Sequence, residues 1–200
     1  KSGISLGKHV CLQSSLRGFP PHHNSAEFII NAFKELIGEN GTLIMPAYNF
    51  HSWTEKHIFN ILETPSEVGA LTEIFRKSHG VRRTRHPIHS LSVWGKYSDE
   101  LCKIDSKNSF GQDSVFAYLE NQDIMYMTIG TDLAMPFLPC HYTEHVVGTG
   151  YRTLKNFLGQ YVDASGNKKQ KEYCFDVKKD EYRNMVSPVY AAHVELNKRE

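Results

Sequence analysis

The chain has 200 residues, of which 40% are hydrophobic and 12% aromatic, and its 23 basic and 22 acidic side chains give a formal net charge of +1. This apolar content is sufficient for one globular core and argues against a disordered chain. The balanced charge gives no argument for a nucleic-acid or membrane surface, and no apolar run approaches the roughly 20 residues of a membrane-spanning helix. We therefore expect a cytoplasmic protein that binds neither nucleic acid nor membrane.

Segments with the periodicity of strands and helices alternate through the first two thirds of the chain. Predicted strands cover residues 10–12, 42–45, 91–94 and 124–129, the last one buried, and predicted helices cover residues 25–37, 65–79 and 114–119. This alternation is typical of an α/β sandwich. Residues 47–64 are rich in aromatic side chains without a clear period, which predicts a long loop that forms the wall of a pocket.

The last third of the chain has a different pattern. Residues 157–162 and 172–177 lie on either side of a Ser-Gly-Asn turn and predict an antiparallel hairpin added to the sandwich. Residues 180–196 are predicted to be helical, with a break at Pro188. We expect residues 1–200 to form a single domain.

The four cysteines are widely separated and include no Cys-x-x-Cys pair. They are Cys11, Cys102, Cys140 and Cys174. Without the spacing of a zinc ribbon or a redox motif, free thiols are the expected state.

The polar sequence His-Tyr-Thr-Glu-His at 141–145 is the first candidate for chemistry. If this segment is helical, His141 and Glu144 share a face, because residues three apart are neighbours on a helix. A carboxylate in that position fixes the tautomer of the imidazole and stabilises the imidazolium, while the ring removes a proton from a nucleophile. Asp132, at the exit of the 124–129 strand, is a candidate third member.

The same five residues also match the H-x-x-E-H pattern of inverted zinc peptidases. In that interpretation His141 and His145 bind zinc from one helical turn, and Glu195 is the only late glutamate in a plausible place for a third ligand. The spacing alone leaves both interpretations open.

Two further segments have the composition of anion-binding sites. Residues 13–18 form a polar, serine-rich turn after the first strand, where hydroxyl and backbone N–H groups can hold a phosphate or a carbonyl oxygen. Arg82, Arg83 and Arg85 lie just before the strand at 91–94 and suit an anionic ligand. An ordinary polar turn and a solvated basic turn are the respective alternatives.

Taken together, these segments resemble the aminoglycoside 3-N-acetyltransferase family in order and spacing. The matching stretches are SSLR at 14–17, TPSEVGAL at 64–71, HPIHS at 86–90 with VWG at 93–95, FG at 110–111 with Ser114, and HxxE at 141–144. The similarity runs from about residue 10 to residue 157, and residues 151–200 are the poorly matched C-terminal portion of the same domain. The resemblance implies the mixed-sheet α/β sandwich of that family, with acetyl-CoA as the co-substrate and no metal.

The resemblance also implies roles for individual residues. His141 would be the general base, with Glu144 as its partner, for direct transfer of acetyl to a small-molecule amine acceptor. The residues expected to line the CoA tunnel are Ser14, Ser15, Leu16, Arg17, Ser66, Glu67, His89, Ser90, Ser114 and Phe116. A homodimer is one assembly compatible with these expectations.

The chain departs from the family at two points that concern the acceptor. Gln13 stands where the family usually has His, and the sequence after Tyr161 matches poorly. The acids that a polycationic aminoglycoside would need are scattered, at Glu55, Glu63 and Asp132. An amino sugar is therefore an alternative acceptor, and a CoA-binding protein without catalytic activity is an alternative function.

Overall fold

A computed structural model of the chain describes residues 3–19, 26–130 and 138–185. Within these ranges the strands are β1 (His9–Ser14), β2 (Thr42–Pro46), β3 (Ile58–Asn60), β4 (Arg82–Arg83), β5 (Leu91–Gly95), β6 (Ile124–Ile129), β7 (Arg152–Val162) and β8 (Lys168–Lys178). The helices are α1 (Ala26–Ile37), α2 (His51–Thr54), α3 (Ala70–Lys77), α4 (Ser98–Lys103), α5 (Val115–Glu120) and α6 (Leu138–Val147). Two 3₁₀ turns cover Leu16–Gly18 and Asp180–Tyr182.

The larger sheet contains five strands in the order β4-β5-β2-β1-β6. Strand β1 is parallel to both β2 and β6, whereas β5 is antiparallel to β2 and β4 is antiparallel to β5. The carboxyl ends of the three parallel strands therefore meet at one edge of the sheet, where ligand sites of α/β proteins commonly form.

Alternate residues of the central strands supply two hydrophobic layers, because successive side chains of a strand point to opposite faces. Val10 and Leu43 pack with α1 and α3 on one face of the sheet. Cys11 and Ile44 pack with α4, α5 and Phe110 on the other face. This arrangement confirms the mixed-sheet α/β sandwich expected from the sequence.

The smaller sheet has the order β3-β7-β8, with β3 parallel to β7 and β7 antiparallel to β8. The predicted hairpin is confirmed, but each of its strands has 11 residues and is longer than expected. Of the predicted C-terminal helix, the described part contains only the 3₁₀ turn Asp180–Tyr182. Residues 186–196, with Pro188, lie outside the described residues.

The prediction of a loop over residues 47–64 is wrong. The segment contains α2 and β3, and its Trp53 and Phe59 are fully buried in a core between the two sheets. The indole Nε1 of Trp53 donates a hydrogen bond of 3.2 Å to the carbonyl of Phe157. The aromatic side chains have no helical or strand period because their packing partners lie about a hundred residues later, on β7 and β8.

Two other predicted elements need correction. Helix α3 begins at Ala70, because Gly69 has a φ of 129° and the backbone N–H groups of Ser66 and Glu67 donate to Glu73 Oε2 and the Tyr48 carbonyl, each at 2.8 Å. Strand β6 has the predicted bounds, but all six residues are half-buried. The reason is that β6 is an outer strand of the sheet.

No helix in the described part of the chain is both long and apolar enough to cross a membrane. The four cysteines are free thiols, as expected; Cys11, Cys102 and Cys174 are buried, and Cys140 on α6 is half-buried.

The burial of Phe59 provides a test of the second core. Phe59→Ala should lower the free energy of unfolding by about 3–5 kcal/mol, because it removes a fully buried ring and leaves a cavity. Urea denaturation measures this loss.

A matched control is Phe28→Ala on α1, where the ring is 69% exposed. We expect this variant to stay within about 0.5 kcal/mol of the parent protein. A similarly small loss at Phe59 would mean that the 47–64 segment packs as a surface loop.

Candidate active site

The predicted pairing of His141 with Glu144 is present on α6. The imidazole Nδ1 lies 2.9 Å from Glu144 Oε2, and the two residues are three apart along the helix. The Glu144 side chain is fully buried, whereas that of His141 is 30% exposed. An ionised carboxylate can only accept hydrogen bonds, so Nδ1 carries the proton in this pair and Nε2, on the far side of the ring, is the basic nitrogen.

Glu144 has two further partners, Tyr151 and Arg152, which follow α6 in the chain. The hydroxyl of Tyr151 donates to Oε1, and Arg152 Nε forms an ion pair of 2.7 Å with Oε2. Arg152 also donates from Nη1 to the carbonyl of Asp176 at 3.0 Å, which attaches it to β8. A buried carboxylate is costly unless it is paired, and Arg152 provides the counter-charge.

Arg152 also lies close to the candidate base. Its Nη2 is 3.2 Å from His141 Nδ1. Because Nδ1 donates to Glu144, the guanidinium acts on the ring through its charge and not as a hydrogen-bond donor. Sequence reasoning missed Tyr151 and Arg152; the signal available was the short Gly-Thr-Gly segment at 148–150, which returns the chain towards α6.

His145 points to a different partner. Its Nδ1 lies 2.5 Å from Asp176 Oδ2 on β8, so the two histidines of the HxxEH sequence each bond to a separate carboxylate through Nδ1. Among the residues that the structure describes, no group of three or more His, Cys, Asp and Glu side chains is arranged to hold a metal ion. Glu195 and Asp132 both lie outside the described residues, so their predicted roles remain predictions.

The serine-rich turn lies at the carboxyl end of β1. The backbone N–H of Ser15 donates to the Ile129 carbonyl at 2.9 Å, and Leu16 begins the 3₁₀ turn with Arg17 exposed. Gly130 is required beside it, because its φ is 63° and a Cβ there would lie 2.1 Å from the Ser15 carbonyl oxygen. A Cβ on Gly69 would lie 3.8 Å from the Ser14 carbonyl oxygen, so this turn is next to the entrance of α3.

Ser66 and Glu67 stabilise the entrance of α3. The Ser66 hydroxyl is 3.1 Å from Thr72 Oγ1. The Glu67 carboxylate accepts hydrogen bonds from the backbone N–H groups of Phe50 and His51, at 3.0 and 3.3 Å. It also bonds to the His51 ring at 2.8 Å, which raises the pKa of that imidazole. The side chains of both predicted residues are therefore already engaged, and within this segment it is Gly69 that lies next to the Ser14 turn.

His89 and Ser90 are buried behind the site. His89 Nδ1 is 2.8 Å from the Ser109 hydroxyl, which is also 3.1 Å from His86 Nε2. Ser90 donates to the Ala47 carbonyl at 2.8 Å. Burial holds the pKa of His89 well below its usual value and lowers that of His86 to about 4, so both rings are neutral at neutral pH.

A ring of Phe110 connects this buried pair to the base. Its centroid lies 4.9 Å from the His89 ring and 6.3 Å from the His141 ring. Ser114 caps α5 by accepting from the Ala117 N–H at 3.2 Å. With Phe116 and His89 it lines a cavity of about 10 Å³. The structure thus brings His89, Ser114 and Phe116 together, on the inner side of the site.

Comparison with known proteins identifies the family. A model of the family described as aminoglycoside 3-N-acetyltransferase matches residues 12–198. The chain belongs to the aminoglycoside 3-N-acetyltransferase family. The resemblance seen in the sequence is therefore confirmed.

Individual members of this family are distant in sequence. The SPbeta prophage-derived aminoglycoside N(3')-acetyltransferase-like protein YokD of Bacillus subtilis (strain 168) is 23% identical in an alignment of length 152, which covers 65% of this chain and 56% of that protein. The chain thus matches little more than half the length of this curated relative.

Solved structures in the family share the fold. The crystal structure of YokD from Bacillus subtilis superposes with a TM-score of 0.76 at 21% identity, over 96% of this chain and 77% of that one. The AAC-IIIb binary complex with CoASH gives 0.77 at 16% identity, over 96% and 78%. AAC-VIa bound to sisomicin gives 0.76 at 18% identity, over 90% and 75%.

The ion pair between Glu144 and Arg152 generates a stability prediction. Arg152→Met should lower the free energy of unfolding by about 3–5 kcal/mol, because it leaves a buried carboxylate without its counter-charge. Adding Glu144→Gln should recover most of this loss, since a neutral amide needs no cation. A double-mutant cycle by chemical denaturation measures the coupling, and losses that merely add would contradict the pairing.

The buried His86 predicts a dependence of stability on acid. Its folded-state pKa of about 4 lies below the usual 6.5, so the unfolded chain takes up the proton first. The contribution of His86 to the free energy of unfolding is complete above about pH 6.5. It is lost as the pH drops towards 4, and the loss amounts to about 3 kcal/mol. Urea denaturation between pH 7.5 and 4.5 should show a weaker decline for His86→Gln, whereas His79→Gln at an exposed site should follow the parent protein.

Proposed function

We propose that the protein is an acetyl-CoA-dependent N-acetyltransferase that transfers acetyl to an amino group of an aminoglycoside or a related amino sugar. The observation that carries the proposal is the half-exposed His141, held by the buried Glu144 in the pairing that the family resemblance assigns to base and partner. Family membership supports acetyl transfer. The CoASH-bound AAC-IIIb and the sisomicin-bound AAC-VIa support the two substrate classes.

The proposed reaction needs one proton acceptor. An amine is protonated at neutral pH and cannot attack a thioester until it loses a proton. Nε2 of His141 takes that proton, while Glu144 accepts the hydrogen bond from Nδ1 and stabilises the imidazolium. The new C–N bond forms at the acetyl carbonyl and the C–S bond breaks. The attacking nitrogen gives its second proton to the leaving CoA thiolate, and the imidazolium then releases the first proton to solvent.

Arg152 adjusts this pair in two ways. It neutralises the buried carboxylate, so Glu144 remains ionised and keeps His141 in the tautomer with a basic Nε2. Its guanidinium also places a positive charge next to the base. Because the Arg152 charge is balanced by Glu144, the pair gives no net preference for or against a polycation, and we propose to test aminoglycosides and amino sugars together.

The proposed CoA site follows the edge of the larger sheet. The turn at 14–17 offers the Ser14 and Ser15 hydroxyl groups beside the start of α3, and hydroxyl groups of this kind can bind phosphate oxygens. Ser66 and Glu67 would hold the neighbouring loop in place. The buried members of the predicted set, which are His89, Ser90, Ser114 and Phe116, would shape the inner wall. A homodimer stays a prediction from the sequence.

Removing the imidazole tests the assignment of the base. We expect His141→Gln to lower kcat/KM by roughly 10²–10⁴-fold, the usual contribution of a general base. Thermal stability and the thermal shift produced by acetyl-CoA should both persist, because His141 is half-exposed and the predicted CoA residues do not include it.

The control is His79→Gln, which changes an exposed histidine far from α6 in the chain. This variant should keep full activity. Both variants are assayed with acetyl-CoA against a panel of aminoglycosides and amino sugars, by release of free CoA thiol. Full turnover by His141→Gln with acetyl-CoA still bound would remove His141 from the mechanism.

A further inference from the structure

A second, larger cavity lies away from α6. Its volume is about 570 Å³, within the range of roughly 300–1,000 Å³ that is usual for small-molecule sites. It is formed by the end of α3, the outer strand β4, the segment after α4 and the turn between β7 and β8. None of the residues expected to act in acetyl transfer lines it.

The charge of this cavity is strongly unbalanced. Its lining includes seven cationic side chains, Arg76, Lys77, Arg82, Arg83, Arg85, Lys169 and Lys171, and two acidic ones, Asp105 and Asp163. Glu73 and Asp99, which pair with members of this set, still leave an excess of three positive charges. Since the whole chain has a net charge of +1, the excess is a local property of this cavity.

The inner wall holds a buried charge among neutral groups. Arg83 is buried, and its guanidinium donates to the Ser90 hydroxyl at 2.9 Å and to the carbonyls of Ala47 and Thr64. These acceptors are uncharged, and desolvation lowers the pKa of Arg83 to about 9. An anion in the cavity would offset this cost, because Coulomb attraction is strong where water is excluded.

The rim has side chains that can reach a ligand. Arg82, Arg85 and Lys169 are exposed. Arg85 Nη1 and Lys171 Nζ share one carboxylate, that of Asp105, at 3.8 and 2.5 Å. Because one carboxylate lies between two cations, N–H donors of Arg85 and Lys171 remain for a second anion. A guanidinium group can bind two phosphate oxygens at once.

We propose that this cavity binds a small anion with two or more phosphate groups, at a site separate from the acetyl-transfer centre. The excess of three charges matches a multiply charged ligand, and a single carboxylate would leave most of it unmatched. The separation follows from β7, which starts at Arg152 beside His141 and reaches Tyr161 in the cavity. Nine residues of extended strand span about 30 Å.

Tripolyphosphate is the probe for this proposal, titrated into the full chain by calorimetry at low salt. We expect saturable binding of one equivalent and a rise in Tm. The double variant Arg85→Gln with Lys169→Gln should weaken binding at least tenfold. The exposed Lys168→Gln is the control for the Lys169→Gln half of this variant, because it removes one positive charge from the preceding residue of β8, which lies outside the cavity lining. Its affinity for tripolyphosphate should change less than twofold.

A second titration tests whether the cavity binds a free polyphosphate or the phosphate groups of CoA. The titration is repeated with saturating CoA, and the proposal requires the affinity for tripolyphosphate to stay the same. Loss of binding under CoA would mean that the cavity holds the phosphates of CoA itself and would overturn a separate site. Absence of saturable binding, or equal weakening by Lys168→Gln, would overturn it as well. Acetyl transfer is not part of the readout, so failure here leaves the proposed function standing.

Discussion

The buried carboxylate of Glu144 is the constraint on which the site depends. A charge without access to water needs a cation, and Arg152 at the start of β7 supplies it at 2.7 Å. Together with the contact between His145 and Asp176, this ion pair joins the helix that carries His141 to the smaller sheet. The hydroxyl of Tyr151 binds the other oxygen of the same carboxylate, so the start of β7 fixes both sides of the group that orients the imidazole.

The β7–β8 hairpin connects the two charged regions of the molecule. One of its ends holds Arg152 and Asp176 beside α6, and the other contributes Tyr161, Lys169 and Lys171 to the cationic cavity. Between them, Trp53 and Phe59 pack against the hairpin and form a core with little room for displacement. The hairpin is therefore part of the structural core, although the sequence alone presented it as an addition to the sandwich.

Features that depend on neighbouring residues could be predicted from the sequence. The bounds of β6 follow from an apolar run between polar residues, Ser114 caps α5 as its residue type suggests, and His141 meets Glu144 because three residues nearly complete a helical turn. Features that depend on distant residues could not. The core around Trp53 requires partners on β7 and β8, and Arg152 lies outside the strand that the sequence predicts for residues 157–162.

The burial of the thiols has a practical consequence. Burial raises the pKa of Cys11 to about 12 and that of Cys102 to about 11, and it also raises the pKa of Cys174, so these groups stay protonated and shielded. Cys140 is half-buried and directly precedes His141. A maleimide label applied to the native protein therefore attaches first next to the candidate base. Such a label would put a fluorescence reporter on α6, one residue before the candidate base, although the proposed chemistry uses no sulfur from the protein.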